Sequence, residues 1–285
     1  MPTDRHAPYA PQAPLADPET ANDSAEDREE ALAFARSLAD LADGITMRHF
    51  RSSGLLIETK ADLTEVTVAD RSTEDAIREA IMARRPGDGI VGEEHGDLES
   101  STGSRWIVDP IDGTSNYTRG LPIWATLIAR ERHGVIDIGV VSAPALGMCW
   151  WAAKGLGAFS DGRRIRVSGV ASPANAFFSY TESELWDSTG RRAAIDKLRK
   201  SVARERAFGD FWQHMMVAEG QIDIAAEAIV SFWDLAALQI IVEEAGGTFS
   251  DLDGRVWADG GNALSTNGLL HAVVLGVLGG HLHSD

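Results

Sequence analysis

The stretch W-I-V-D-P-I-D-G-T, Trp106 to Thr114, puts two carboxylates three residues apart at the end of an apolar run. Trp106, Ile107 and Val108 predict a short buried strand, and Pro110, which has no N–H for a sheet ladder, sets its end near Asp109. Asp109 and Asp112 then project from a tight turn, and Gly113 allows a ligand to come close to the backbone. Thr114 is placed to cap a helix whose first N–H groups favour a bound anion. Carboxylates beside such a helix start suit magnesium. An isolated D-x-x-D-G-T is equally an ordinary turn after a strand, so the rest of the chain has to decide.

Composition narrows the field. A chain of 285 residues with 44% hydrophobic content buries a substantial core, as one large domain or two tightly joined lobes. Its formal charge of −17 argues against sequence-independent nucleic-acid binding and against docking on an anionic membrane, both of which need basic surface. Residues 1 to 30 hold eight acids, two bases and half of the ten prolines, so residues 1–23 are expected to be a disordered acidic tail. Residues 24–285 are expected to form one domain of two interlocked lobes, divided near residues 183 and 184, because no Pro/Gly-rich linker or solenoid repeat interrupts them. Cys149 is the single cysteine, which rules out an intrachain disulfide or a cysteine-based zinc site and makes the cytoplasm the default location. The N-terminus shows no basic segment followed by an apolar one, and no apolar stretch is long enough to span a bilayer.

Along the chain, Ser24 and Asp27 cap a helix whose inner face is expected to carry Leu32, Ala35, Leu38, Leu41, Ala42 and Ile45. A strand at Leu55–Lys60, a loop at Asp62–Val66 and a helix at Ser72–Arg84, with Ile77 and Ile81 inward, come next. Gly89–Val91 predicts a strand running into Glu93-Glu94. Trp124–Arg132 and Val135–Ala143 predict strands joined by a turn at His133-Gly134, with more strands as far as Ser168. The remainder predicts a strand at Phe177–Tyr180, helices around Leu185–Ser201 and Phe211–Gly220, a strand at Asp223–Glu227 and a helix at Leu235–Ala245 ended by Gly246-Gly247.

Asp70, Glu93, Glu94 and Asp234 each stand where an element begins or ends. Taken singly, Asp70 and Asp234 read as helix caps and the two glutamates as solvated loop. Together with the Asp-Gly-Thr turn they read as a site, because the chain has no G-x-S-x-G, Walker A loop or H-E-x-x-H to compete with it. The eight histidines show no ligand spacing, and His281 and His283 fall in a frayed terminus.

The set G-E-E-H-G (Gly92–Gly96), W-I-V-D-P-I-D-G-T-S-N-Y (Trp106–Tyr117) and W-D-L-A-A-L (Trp233–Leu238) resembles the inositol monophosphatase family of magnesium-dependent phosphatases, in order across most of residues 24 to 280. A finer resemblance, through R-A-F-G-D-F (Arg206–Phe211), V-A-E-G-Q-I-D-I-A-A-E (Val217–Glu227) and S-T-N-G-L-L-H (Ser265–His271), is to bacterial histidinol-phosphatases built on that fold. The family implies a layered α-β-α-β-α sandwich of the sugar-phosphatase type and a homodimer. It implies two or three Mg²⁺ ions held by Glu93, Asp109, the Ile111 carbonyl, Asp112 and Asp234. Hydrolysis would use a metal-activated water oriented by Thr114 and Asp70, with Glu93 also catalytic and no phospho-enzyme. The turn from Ile111 through Asp112 and Gly113 to Thr114 would hold the phosphate.

Inositol-type members carry small residues around the position of Gly209, whereas here Asp210 follows it, and an acid there suits a cationic substrate. Histidinol phosphate carries an ammonium and an imidazole for Asp210 and Glu227 to pair with, while Arg206 would contact the ligand or brace the loop. Asp210 is equally placed to cap a helix starting at Phe211. Phe211-Trp212 and Trp150-Trp151 read as core or dimer packing. The expected function is hydrolysis of L-histidinol phosphate. The alternatives are inositol-1-phosphate or broader monoester hydrolysis, and a non-catalytic relative that only binds metal and phosphate.

Overall fold

The computed structural model describes residues 24–60, 64–181, 183–256 and 258–279. The expected tail, the histidines at 281 and 283, and two positions of the expected 62–66 loop lie outside the described residues.

The chain enters through α1 (Ala25–His49), where the Ser24 hydroxyl accepts the Asp27 N–H at 3.1 Å. Its inner stripe is Ala31, Phe34, Ala35, Leu38, Ala39 and Ala42, whereas Leu41, expected inward, is 40% exposed. β1 (Ile57–Thr59) and β2 (Glu65–Thr67) form a separate antiparallel ribbon, so the expected loop ends in a strand. α2 (Val68–Arg84) starts four residues before the expected Ser72. The reason is a capping box: the Asp70 carboxylate accepts the Thr67 N–H at 2.8 Å, and the Thr67 hydroxyl accepts the Ala69 N–H at 3.0 Å.

A seven-stranded sheet follows: β3 (Gly89–Gly92), β4 (Ser104–Asp112), β5 (Ala125–Arg132), β6 (Val135–Ala143), β7 (Met148–Ala153), β8 (Gly157–Ser160) and β9 (Arg163–Arg164), in that spatial order. All neighbours are antiparallel except β3 and β4. β4 does not stop near Asp109. The register shifts between Asp109 and Asp112, which places Pro110 in a bulge where no ladder N–H is required, and the Ile111 N–H turns onto Asp109 Oδ1 at 2.9 Å. The short helix α3 (Thr114–Thr118) comes directly after it.

The second sheet takes β10 (Phe177–Tyr180), β11 (Arg204–Arg206), β12 (Ile224–Glu227), β13 (Thr248–Ser250) and β14 (Ala263–Thr266), in the order β11-β10-β12-β14-β13. Counted by sheets, the chain changes over between Arg164 and Phe177, ahead of the lobe division expected near residue 183. The expected helix 185–201 is two helices, α4 (Ser183–Ser188) and α5 (Arg192–Ser201), parted by a turn with Gly190 at φ 69°. α6 (Asp210–Ala218), α7 (Phe232–Glu244) and α8 (His271–Leu278) complete the set.

Packing then gives the layers. Phe34, Leu38, Ile77 and Ile81 of α1 and α2 cover one face of the large sheet through Trp106, Val108, Ile128 and Val140. Its other face meets α6 and α7, whose Phe211, Met215, Leu238 and Ile241 also reach Phe249 and Ala263 of the second sheet. α7 is therefore apolar around most of its circumference, as a helix between two sheets must be. Trp186, Ile195, Leu198 and Val274 of α4, α5 and α8 close the outer side. The architecture is the expected α-β-α-β-α sandwich.

His271 illustrates a burial cost in this last layer. Its ring lies between Ser250 Oγ at 2.9 Å and Thr266 Oγ1 at 3.1 Å, and burial pushes its pKa down to about 4. A depressed histidine is neutral in the folded state while the unfolded chain still takes up a proton near 6.5, so its contribution is full above that pH and declines between 6.5 and 4. His271→Gln is expected to shrink the loss of stability between pH 7 and pH 5 in urea melts. An unchanged pH dependence would place the titration elsewhere.

Candidate active site

Four element ends converge. β4 delivers Asp109 and Asp112, β3 runs into Glu93, the first turn of α2 supplies Asp70, and the first turn of α7 supplies Asp234. Oxygens of Asp109, Asp112 and Asp234 lie within 4.8 Å of one another. The cap and ligand readings of Asp70 and Asp234 turn out to be compatible, since each is the third residue of a capping box. Asp234 Oδ2 accepts the Ser231 N–H at 2.9 Å, and Asp70 uses Oδ2 on Thr67 and Oδ1 on the Thr114 hydroxyl at 3.3 Å. One oxygen caps the helix and leaves the other for the site.

The inner three acids are compensated by backbone N–H groups: Ile111 on Asp109, Phe211 on Asp112 at 2.6 Å, and Ser231 on Asp234. Burial, then the neighbouring carboxylates, push Asp109 and Asp112 well above the usual range and Asp234 up to about 8. Burial also raises Asp70 to about 6. At the rim Lys60 pairs with Glu93 at 2.8 Å and with Glu94. An all-oxygen donor set with excess negative charge, buried and mutually repelling, fits a hard divalent cation.

Gly113, at φ 84°, is the helix N-cap in place of the expected Thr114. A Cβ there would sit 3.0 Å from the Ile123 carbonyl and 3.4 Å from Asp210 Oδ2, so glycine is needed for both conformation and space. Thr114 is the first helical residue, and its hydroxyl lies 2.9 Å from the Ile111 carbonyl as well as near Asp70.

Two adjoining cavities share Glu93, Asp112 and Asp234. One, of about 410 Å³, contains the Asp109–Thr114 turn. The other, of about 560 Å³, extends over Asn116, Tyr180, Phe208, Asp210, Glu227 and Trp233. Asp210 is not at the cap position of α6, because Gly209 is the N-cap and the helix begins at Asp210 itself, at φ 48°; Asp112 takes the Phe211 N–H, and Asp210 accepts Asn116 Nδ2 at 3.0 Å. Glu227 is in the wall and already bonds Gln213 at 2.7 Å and His214 at 3.0 Å. Arg206 is not brought in. It ends the edge strand β11, exposed, with Nη1 on the Glu205 carbonyl at 2.7 Å, and it lines neither cavity. Trp150 and Phe211 pack together in the core, as expected.

Lys60, Asn116, Gln213 and His214 are the residues that sequence reasoning did not single out. Only Asn116 carried a signal, one helical turn from the Asp112-Gly113 pair.

A model of the inositol monophosphatase family matches residues 27–281. The chain belongs to this family. The histidinol-phosphatase of Mycobacterium tuberculosis is 51% identical over 249 residues, spanning 86% of this chain and 96% of the relative. That of Streptomyces coelicolor is 47% identical over 256 residues, spanning 87% and 96%. Among solved structures, the extragenic suppressor protein suhB of Bartonella henselae superposes with a TM-score of 0.82 at 27% identity, over 89% of this chain and all of that one. Inositol monophosphatase family members are metal-dependent phosphatases, in keeping with the acidic cluster.

Proposed function

We propose that this chain is a magnesium-dependent phosphatase that hydrolyses L-histidinol phosphate to L-histidinol and phosphate, a step of histidine synthesis. The observation that carries the substrate choice is Asp210, whose carboxylate stands beside Gly113 in the cavity wall that Asp112 also lines, where it would face the alcohol portion of a monoester held on the Asp-Gly-Thr turn. The two histidinol-phosphatase relatives support the same reading. Glu227 adds a second acid at the wall, and Tyr180, Phe208 and Trp233 add ring faces for an imidazole.

Glu93, Asp109, the Ile111 carbonyl, Asp112 and Asp234 would hold two or three Mg²⁺ ions. Bound there, magnesium supplies Lewis acidity that lowers the pKa of water and neutralises charge on phosphate and leaving oxygen. The chain supplies the remainder. N–H groups of Gly113 and Thr114 bind phosphate oxygens, and the Thr114 hydroxyl, held by Ile111 and Asp70, orients the attacking water. The resemblance supports a homodimer with one site in each two-lobed domain. The single cysteine suits a cytoplasmic setting.

The test is kinetics on histidinol phosphate and inositol 1-phosphate side by side, for the wild type and Asp210→Asn. Asparagine tolerates the left-handed backbone and removes only the charge. Losing a charge-assisted contact of about 1.5–3 kcal/mol is expected to lower kcat/KM on histidinol phosphate by about 10- to 100-fold, with a smaller effect on inositol phosphate. A wild-type preference for inositol phosphate would overturn the substrate assignment, and equal losses on both esters would leave Asp210 with a packing role.

A further inference from the structure

One stripe of α2 carries Asp70, Glu74 and Arg78, each four residues from the last and so one above another on the helix surface. Asp70 reaches the Asp-Gly-Thr turn through Thr114. Glu74, with no exposed surface, reaches the other half of the site: Oε2 accepts the Glu94 N–H at 2.7 Å and Oε1 the His95 N–H at 3.2 Å. Arg78 donates to Glu74 at 3.4 Å and to the Gly96 carbonyl at 2.9 Å. The Gly92–Gly96 turn, which presents Glu93, is thus clamped to α2 at three successive residues.

Gly92 explains why the clamp is tight. Its backbone is outside the left-handed region, so alanine would fit its conformation, yet a Cβ there would lie 2.1 Å from Glu74 Oε1 and 2.6 Å from Cδ. The glycine is there to admit the carboxylate. A side chain at 92 would expel Glu74 from the Glu94 and His95 N–H groups and release the turn.

We propose that Glu74 is a positioning residue, which sets the Glu93 carboxylate for divalent-cation binding: its own carboxylate fills the space Gly92 leaves open and from there holds the Glu94 and His95 N–H groups. It touches neither substrate nor cation. The inference rests on reading the carboxylate cluster as the cation site. Groups that orient a ligand from behind typically change metal affinity by about 10- to 100-fold.

The experiment titrates magnesium calorimetrically into the metal-free full-length chain, alongside phosphatase assays and melts in EDTA. Glu74→Gln and Glu74→Ala are expected to weaken Mg²⁺ binding about tenfold or more, leaving the substrate KM at saturating Mg²⁺ unchanged. Gly92→Ala should weaken it similarly, and in the Glu74→Ala background should add nothing, because the group it collides with is gone. Glu74→Gln keeps the volume and one acceptor, so it carries the test with Gly92→Ala if Glu74→Ala does not fold. Variants that melt earlier in EDTA but bind Mg²⁺ as the wild type does would overturn the proposal, as would additive losses in the double variant. A wild type that takes up no Mg²⁺ would instead sink the cluster reading on which it rests.

Discussion

Asp109→Asn is expected to lower kcat/KM by about a thousandfold or more while raising the melting temperature of the metal-free protein. The two effects share a cause. Asp109 is 1% exposed, within 4.8 Å of two other carboxylates, and held well above the normal carboxylate range by burial and then by the charges of Glu93, Asp234 and Asp112. A raised folded-state pKa means that folding is penalised at any pH above the unfolded value of 3.8, and the penalty fades as pH falls toward it. The amide removes the charge but keeps an oxygen for the Ile111 N–H, which Asp109 now accepts at 2.9 Å. Relief of about 1 kcal/mol would raise the melting temperature by roughly 2–4 °C in a domain of this size. The gain should be larger at pH 8 than at pH 4.5. Scanning calorimetry in EDTA reads the stability and phosphate release with Mg²⁺ reads the activity. Retained activity would remove Asp109 from the site, and a lower metal-free melting temperature would show that the cluster is stabilising, contrary to the repulsion argued for it.

That site was legible because its densest part is local. Asp109, Asp112, Gly113 and Thr114 lie within six consecutive residues, so one bulge and one turn bring them together whatever the rest of the chain does. The layers were legible for a similar reason: strands at Val135–Ala143 and Phe177–Tyr180 and the apolar helix Phe232–Glu244 each carry their burial in their own pattern. What was missed depends on partners far away in sequence. Glu74 sits in an amphipathic helix where an acid reads as solvent face, and only the return of the chain at Glu94 and His95 shows it to be buried. Gln213 and His214 likewise gain meaning from Glu227, Ser179 and Ser265 across the second sheet. Pro110 misled about the strand end, because a proline that breaks a regular ladder is accommodated when the register shifts beneath it. Arg206, which the resemblance offered as a ligand contact or a loop brace, ends an edge strand and bonds the neighbouring Glu205 carbonyl, a placement that depends on strand pairing the local motif does not show.

Thr114→Val should separate chemistry from binding. The substitution nearly preserves shape at a half-buried position and removes one hydroxyl, which has a single proton and two acceptors in reach, the Ile111 carbonyl at 2.9 Å and Asp70 Oδ1 at 3.3 Å. Whichever acceptor takes the proton, the hydroxyl oxygen keeps a lone pair for a water in the cavity that Thr114 lines. Asp70 Oδ1, facing that hydroxyl, is placed to accept its proton and so to turn the oxygen lone pair toward the water. A kcat about 100-fold lower or worse is expected for Thr114→Val, with substrate KM and Mg²⁺ affinity near those of the wild type. Asp70→Asn should lower kcat as well, since it replaces the acceptor that faces the Thr114 hydroxyl. Because the two side chains act on one water, the double variant should be little slower than the worse single one. Independent losses that multiply would mean that Thr114 and Asp70 serve separate steps, and a Thr114→Val enzyme with full kcat would reduce the hydroxyl to a brace for the bulge at Ile111.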